Sequence, residues 1–244
     1  MSTLTGKTAL VTASSRGIGR AIAERLGADG ANVVVNYQSN GDAAAQVVAA
    51  VEAAGSKAVA VAADMGDPAA IGNLYDQAVA AFGGVDIVVN NHAYIEFGGF
   101  DQLSLESYDK IFAVTARGTF VSMQHAARVL PDGGRIINIS AGGTVAAGAG
   151  GSAYHGAKAA VQQFTTTASK ELGHRGITVN AVLPGTTRTD GLIIPPQMVE
   201  QLVAQTSLGR LGEPEDIAAV VAFLAGPDGR WMTGQLVRAG GGLI

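Results

Sequence analysis

Two groups of residues have the types and the spacing to do chemistry. In Tyr154-His155-Gly156-Ala157-Lys158 a phenol and an amine stand four residues apart. On a helix such positions share one face, so both groups can address the same ligand. A free tyrosine, with a pKa near ~10, shuttles protons poorly at neutral pH. A neighbouring cation favours its ionised form and lowers that pKa towards a useful range. Alone, the pair is also what an ordinary helix surface carries. The second group is Thr12-Ala13-Ser14-Ser15-Arg16-Gly17-Ile18-Gly19. Glycines at a strand-to-helix turn let the backbone approach a pyrophosphate, and the free N–H groups of the helix start attract its charge. A Gly-x-Gly pair is weak on its own and gains weight where it joins a first strand to a first helix.

The surrounding pattern provides that context. Thr8–Val11, 33–36, 59–62, Ile87–Asn90, 135–140, 178–183 and 236–237 read as buried strands. Helical patterns fall at 19–28, 42–54, Pro68–Phe82, 105–130, Ser152–Leu172 and Pro214–Ala225. Strands alternating with helices imply βαβ crossovers and a parallel sheet. The handedness of such crossovers makes an α/β, Rossmann-type doubly wound open sheet the expected topology, with about seven strands and helices on both faces. The Gly/Ala-rich stretch 141–151 follows a strand end, where it is either a flexible connection or an active-site loop.

Composition narrows the classes. The chain has 244 residues, 48% of them hydrophobic, and no linker-like shift in composition, so 1–244 reads as one domain. A net charge of −4 with scattered Lys and Arg leaves no basic stripe for nucleic acid or an anionic membrane. Without cysteine there is neither disulfide nor thiolate chemistry. Thr5-Gly6-Lys7 leads straight into a strand-like segment without a signal-peptide pattern, and no apolar stretch is long enough for a bilayer; a cytoplasmic protein is expected. His92 and Glu96 lack zinc-site spacing, so no metal is expected. No Gly-x-Ser-x-Gly elbow is present.

Taken together, the glycine turn and the Tyr-x-x-x-Lys pair resemble the short-chain dehydrogenase/reductase family over nearly the whole chain. The family's opening Thr-Gly-x-x-x-Gly-x-Gly keeps Thr12, Gly17 and Gly19 here, with Ala13 at the first glycine. The resemblance implies a dinucleotide held by Thr12, Ser14, Ser15, Arg16, Gly17, Ile18 and Gly19. It places Asp64 at the adenine, Lys158 on the nicotinamide ribose and Thr187 and Thr189 at the nicotinamide carboxamide, with Met65, Asn91, Pro184 and Gly185 as further cofactor-binding residues. NAD-using relatives place an acid at the end of the second strand; here the run is Asn36-Tyr37-Gln38-Ser39-Asn40. With no carboxylate to repel a 2′-phosphate and Arg16 resembling the basic residue of NADP-using relatives, NADP(H) is expected over NAD(H). Tyr154 would protonate the substrate oxygen, with Lys158 tuning it and holding the ribose.

Several positions depart from the family. Its catalytic serine lies thirteen residues before the tyrosine; here that position is Ala141, in Asn138-Ile139-Ser140-Ala141. Losing one such donor costs ~10²–10³ in turnover. Ser140, one position early, should face the other way, and Thr144 is the alternative that would have to swing in. The family's helix-bending asparagine is Thr115, and its Asn-Asn-Ala-Gly is Asn90-Asn91-His92-Ala93. His92 is either a histidine packed in its turn or an acid–base group beside the cofactor. Tyr94, Ile95 and Glu96 should border the substrate, and 190–206 matches the family's mobile substrate loop, stiffened by Pro195-Pro196.

The expected function is an NADP(H)-dependent oxidoreductase interconverting a carbonyl and a secondary alcohol. Two alternatives follow from Ala141 and Thr115: lyase or isomerase chemistry in the same pocket, or nucleotide sensing without turnover. The substrate would be a small molecule. Family members of this size are usually tetramers, so a homotetramer, or else a homodimer, is implied.

Overall fold

The computed structural model describes residues 3–192 and 194–244. Seven parallel strands form one sheet in the order β3-β2-β1-β4-β5-β6-β7: β1 Thr8–Val11, β2 Asn32–Tyr37, β3 Ala58–Ala62, β4 Ile87–Asn90, β5 Arg135–Ile139, β6 Thr178–Pro184 and β7 Leu236–Ala239. This is the doubly wound α/β sheet that the alternating pattern implies. The strand order reverses between β1 and β4, which pair through Leu10 and Val88. The crevice at such a reversal, beyond the carboxyl ends of the strands, is where open α/β sheets bind ligands.

Strand alternation sends neighbouring side chains into two cores. On one face Val11, Val33 and Val35 pack against Ile22 and Leu26 of α1 (Gly17–Ala28), Val47 and Val51 of α2 (Gly41–Ala53), and Ile217 and Val221 of α8 (Pro214–Ala225). On the other, Leu10, Val34 and Val88 meet Ile71 and Leu74 of α3 (Pro68–Phe82), Met123 and Ala126 of α5 (Gly118–Val129), and Phe164 of α6 (Ser152–Leu172). Helix starts are marked by side chains: Asn40 accepts from the Ala43 N–H, Asp67 from Ala69, and Glu213 forms a capping box with Asp216. α1 has no such cap, since Arg16 precedes it in extended geometry; the helices at Ser152 and Pro196 also start without one. The first N–H groups of α1 are left for something else.

Two expectations need correction. The helical pattern 105–130 is not one helix: α4 (Leu105–Ile111) passes through a π-helical turn at Phe112–Arg117 before α5 begins. The 190–206 segment is not loop throughout, because Pro196–Gln205 forms α7; Ile193 lies outside the described residues. Pro196 opens this helix at the position where its missing N–H costs nothing, instead of stiffening a loop. No residue of α7 is buried, so it rests lightly on the rest of the protein. No helix among the described residues is long and apolar enough to cross a membrane.

Candidate active site at the strand reversal

The turn after β1 is shaped by its own side chains. Gly17 has φ +54°, and Ala13 has φ 48°, the left-handed region that glycine adopts without strain and other residues only at a cost. Ala13 is held there from both sides. Its N–H donates to the Asn36 side-chain oxygen at 2.9 Å, and its carbonyl accepts from the Asn91 amide at 3.0 Å. Asn36 also donates to the carbonyls of Val61 and Ala63, joining β1, β2 and β3 at one point. A Cβ on Gly19 would overlap the Ala13 carbonyl and stand 2.5 Å from the Asn91 amide nitrogen. Gly19 thus makes room for a contact within the protein. Thr12 and Ser14 are fully buried, Ser14 donating to the Val11 carbonyl, so both form the frame of the turn. Ser15 and Ile18 are partly exposed and Arg16 is exposed.

Opposite this turn, a Cβ on Gly17 would meet the Thr189 side chain at 3.3 Å, and a hollow of about 150 Å³ lies beside them, lined also by Arg20 and Arg188. Thr187 donates its hydroxyl to the Gly185 carbonyl. Pro184 ends β6, and Gly185 packs against Gly240 where a Cβ would stand 2.7 Å from its Cα. Asp64 accepts from the Gly66 N–H with one carboxylate oxygen, and Met65 buries its side chain in the core.

His92 is packed and paired. Nδ1 lies 2.7 Å from the Thr12 hydroxyl and Nε2 3.4 Å from that of Thr119, whose hydrogen goes to the Thr115 carbonyl at 2.8 Å. Thr119 must therefore accept from Nε2–H, leaving Nδ1 to accept from Thr12. Burial, with the Lys158 charge as a smaller cause, pushes the His92 pKa down to about 3. The imidazole is neutral and forms part of the frame.

Thr115 lies in the π turn, a feature frequent at functional sites. Its hydroxyl accepts from the Tyr94 N–H at 3.1 Å and donates weakly to the Tyr94 carbonyl at 3.5 Å, tying the helix bend to the segment after β4. That segment is held again where Glu96 accepts from the hydroxyls of Tyr94 and Ser107. Ile95 is exposed.

On α6, Tyr154 and Lys158 lie one turn apart. Lys158 is 2% exposed, and its amine donates to the Ile139 carbonyl at 2.5 Å and reaches the His92 carbonyl at 3.5 Å. Burial lowers its pKa to about 7. Burial raises that of Tyr154 to about 12. The expected lowering of the tyrosine by the lysine is therefore absent in this arrangement. The amine is turned to main-chain oxygens, and desolvation disfavours the charged forms of both groups.

The loop after β5 accounts for the hydroxyls near the serine position. Ser140 is buried, donates to the Lys158 carbonyl at 3.1 Å and accepts from Gln162 at 2.9 Å. Thr144, in a short 3-10 turn, donates to the Ala141 carbonyl at 2.7 Å and accepts from Gln162 at 2.5 Å. Thr144 has not swung in towards the tyrosine; its single hydrogen is spent on its own turn. Neither hydroxyl replaces the one that Ala141 lacks.

Known proteins resemble this chain in sequence and fold. A family model described as enoyl-(acyl carrier protein) reductase matches residues 12–244. An uncharacterised oxidoreductase of Methylorubrum extorquens is 44% identical, covering 100% of both chains. A short-chain dehydrogenase from Burkholderia cenocepacia, solved in complex with NADP, superposes with a TM-score of 0.95 at 42% identity, covering 99% of each chain. The angucycline C-6 ketoreductase LanV, solved with bound NADP, gives 0.94 at 42% identity over 99% of this chain and 96% of its own. The chain belongs to the short-chain dehydrogenase/reductase family.

In this short-chain dehydrogenase/reductase, three site residues escaped the sequence reading. Asn36 gave a signal, being an amide inside an apolar strand run. Gln162 gave another: with Tyr154 and Lys158 it continues the four-residue spacing along one face of α6. Phe97 gave none, since only folding brings its ring against Tyr154, with centroids 5.9 Å apart. Among the described residues no cluster could hold a metal ion.

Proposed function

We propose that this chain is an NADP(H)-dependent ketoreductase that interconverts a carbonyl and a secondary alcohol. The observation that carries the reading is the pairing on α6 of a largely buried phenol with a buried amine, at the carboxyl ends of β4 and β5. When bound, the dinucleotide supplies the hydride that the reduction consumes. Tyr154 gives its phenolic proton to the carbonyl oxygen as the carbonyl carbon is reduced, and its phenolate takes that proton back in the oxidising direction. A phenol near pKa 12 keeps its proton at neutral pH, as a donor must. An amine with a pKa near 7 both takes and releases a proton easily, and the Lys158 ammonium would stabilise the phenolate by turning to it from the Ile139 and His92 carbonyls.

The turn fits a dinucleotide. The first N–H groups of α1 have no side-chain cap, and the Thr189 hydroxyl opposite Gly17 has no hydrogen-bond partner among the described residues. In this reading Ser15 to Gly19 hold the pyrophosphate on a frame of Thr12 and Ser14, and Asp64 with the Met65 main chain meets the adenine. Asn91 and Lys158 lie on the ribose side, and Pro184, Gly185, Thr187 and Thr189 on the nicotinamide side. No carboxylate stands at the end of β2 and Arg16, just before α1, is exposed, which supports NADP(H), as do the NADP complexes of the Burkholderia enzyme and LanV. Tighter binding of NADH than NADPH would overturn this choice.

Residues 1–244 form one domain in this reading, α7 and its flanks cover the substrate, and the protein works in the cytoplasm. Leu105, Tyr108 and Phe120 on α4 and α5, and Phe223, Trp231 and Leu236 near the C-terminus, are large exposed apolar side chains. Two such patches support a homotetramer, which light scattering of the purified protein tests.

The central test is NADPH consumption against a panel of activated ketones. We expect turnover in the parent and a loss of about 10²–10⁴ in Tyr154→Phe, with NADPH affinity unchanged. Unchanged turnover in that variant would remove the assignment. Ala141 favours a second reading, lyase or isomerase chemistry or nucleotide sensing, because the hydroxyls of Ser140 and Thr144 are both committed elsewhere. Product without net NADPH change, or binding without turnover, is its signature.

A further inference from the structure

The loop between β5 and α6 closes around an imidazole to which the ketoreductase reading gives no task. His155 follows Tyr154, with ring centroids 5.4 Å apart, and Phe97 meets both rings near edge-on, 5.9 and 6.2 Å away. The loop can enclose His155 only because it is glycine at the points of contact. A Cβ on Gly143 would overlap Nε2, and one on Gly151 would overlap Cε1 and stand 2.5 Å from Nδ1. Gly143 and Gly151 thus have a steric cause. The imidazole is partly exposed, and neither ring nitrogen has a hydrogen-bond partner among the described residues, so both are open to a ligand or to water. Burial lowers its pKa, so at neutral pH it carries one N–H donor and one lone pair.

A donor is what the site otherwise lacks. Ala141 has no hydroxyl, and those of Ser140 and Thr144 are spent on the Lys158 and Ala141 carbonyls. Nε2 is the ring atom against Gly143, two residues along the turn from Ala141 and on the residue next to Tyr154. We propose that His155 donates a hydrogen bond from its ring N–H to the reacting oxygen of the substrate, taking over the task of the hydroxyl missing at Ala141. The Phe97 ring packs near edge-on against both His155 and Tyr154. The proposal rests on the ketoreductase reading.

The test measures ketone reduction by the parent, His155→Phe, Ala141→Ser and the double variant, with NADPH titration and thermal melts confirming the fold. His155→Phe keeps a ring in the glycine cradle and removes the donor. We expect it to lower kcat by ~10²–10³ with little change in NADPH affinity, and adding Ala141→Ser to recover most of that loss. In the parent background Ala141→Ser should gain less than about tenfold, because the position is already served; this variant leaves His155 undisturbed should the phenylalanine not fold. An unaffected His155→Phe, a loss that serine fails to restore, or a gain of more than about 100-fold from Ala141→Ser alone would overturn the proposal while leaving the reductase standing. A parent that reduces no ketone would overturn both.

Discussion

The Thr12 hydroxyl lies 2.7 Å from Nδ1 of His92, and this buried contact joins the turn after β1 to the turn after β4. These strands flank the point where the sheet reverses, so the bond ties together the two turns that border the crevice. Of the two readings of His92, the geometry selects the packed one.

A neutral His92 has a spectroscopic consequence. With its pKa pushed down to about 3, the ring should stay neutral with Nε2 protonated across pH 5–8, which ¹⁵N NMR of the imidazoles reads directly. The unfolded chain, with its histidine near 6.5, binds more protons than the folded one between those two values. Stability from this residue therefore falls as pH drops from 6.5 towards 3. A His92 signal titrating near 6.5 would contradict the network.

Lys158 acts in the opposite part of the pH scale. Its folded pKa of about 7 lies below the free value of 10.5, so the unfolded chain holds more protons between them and stability rises with pH across that window. The penalty is whole below the lower value and gone above the upper one. Thermal melts of the parent and Lys158→Met from pH 6 to pH 10 isolate the effect. The difference should move in the parent's favour as pH rises, by on the order of a few kcal/mol. A constant difference would mean that the lysine titrates normally.

Ala13 holds a left-handed backbone that costs a non-glycine residue about 1–2 kcal/mol. Ala13→Gly removes that strain and loses part of the gain to the greater freedom of an unfolded glycine. The net expectation is a stabilisation of ~0.5–1 kcal/mol, visible as a Tm higher by a few degrees at most. A lower Tm would show that the bonds from Asn36 and Asn91 relieve the strain completely.

Gly19 should tolerate nothing larger. Its Cβ would strike the Ala13 carbonyl and the Asn91 amide, both parts of a fixed frame, so Gly19→Ala should cost about 1–3 kcal/mol and weaken NADPH binding. Gly148→Ala, in the exposed loop with nothing within 4 Å of its Cβ, is the matched control and should change neither. Equal behaviour of the two variants would show that the turn is softer than its contacts imply.

Local chemistry carried much of this protein in legible form. The alternation of apolar runs and helical patterns determined the parallel sheet, because strands covered on both faces have to be apolar throughout. The four-residue spacing of Tyr154 and Lys158 and the glycines after β1 marked the candidate site, since each depends only on the periodicity of its own element. Element ends, the π turn around Thr115 and helix α7 were decided by tertiary packing or by capping, which the apolar pattern does not record. So were the pKa shifts of His92, Tyr154 and Lys158. The tyrosine and lysine do not tune one another as their spacing suggests, because the lysine is buried, the tyrosine is partly so, and the amine turns to carbonyls at the ends of two other strands. His92, Asn36 and Gln162 received their partners from residues 18 to 80 positions away. Hydrogen-bond commitment and desolvation are properties of what surrounds a group, and only the folded chain brings those surroundings together.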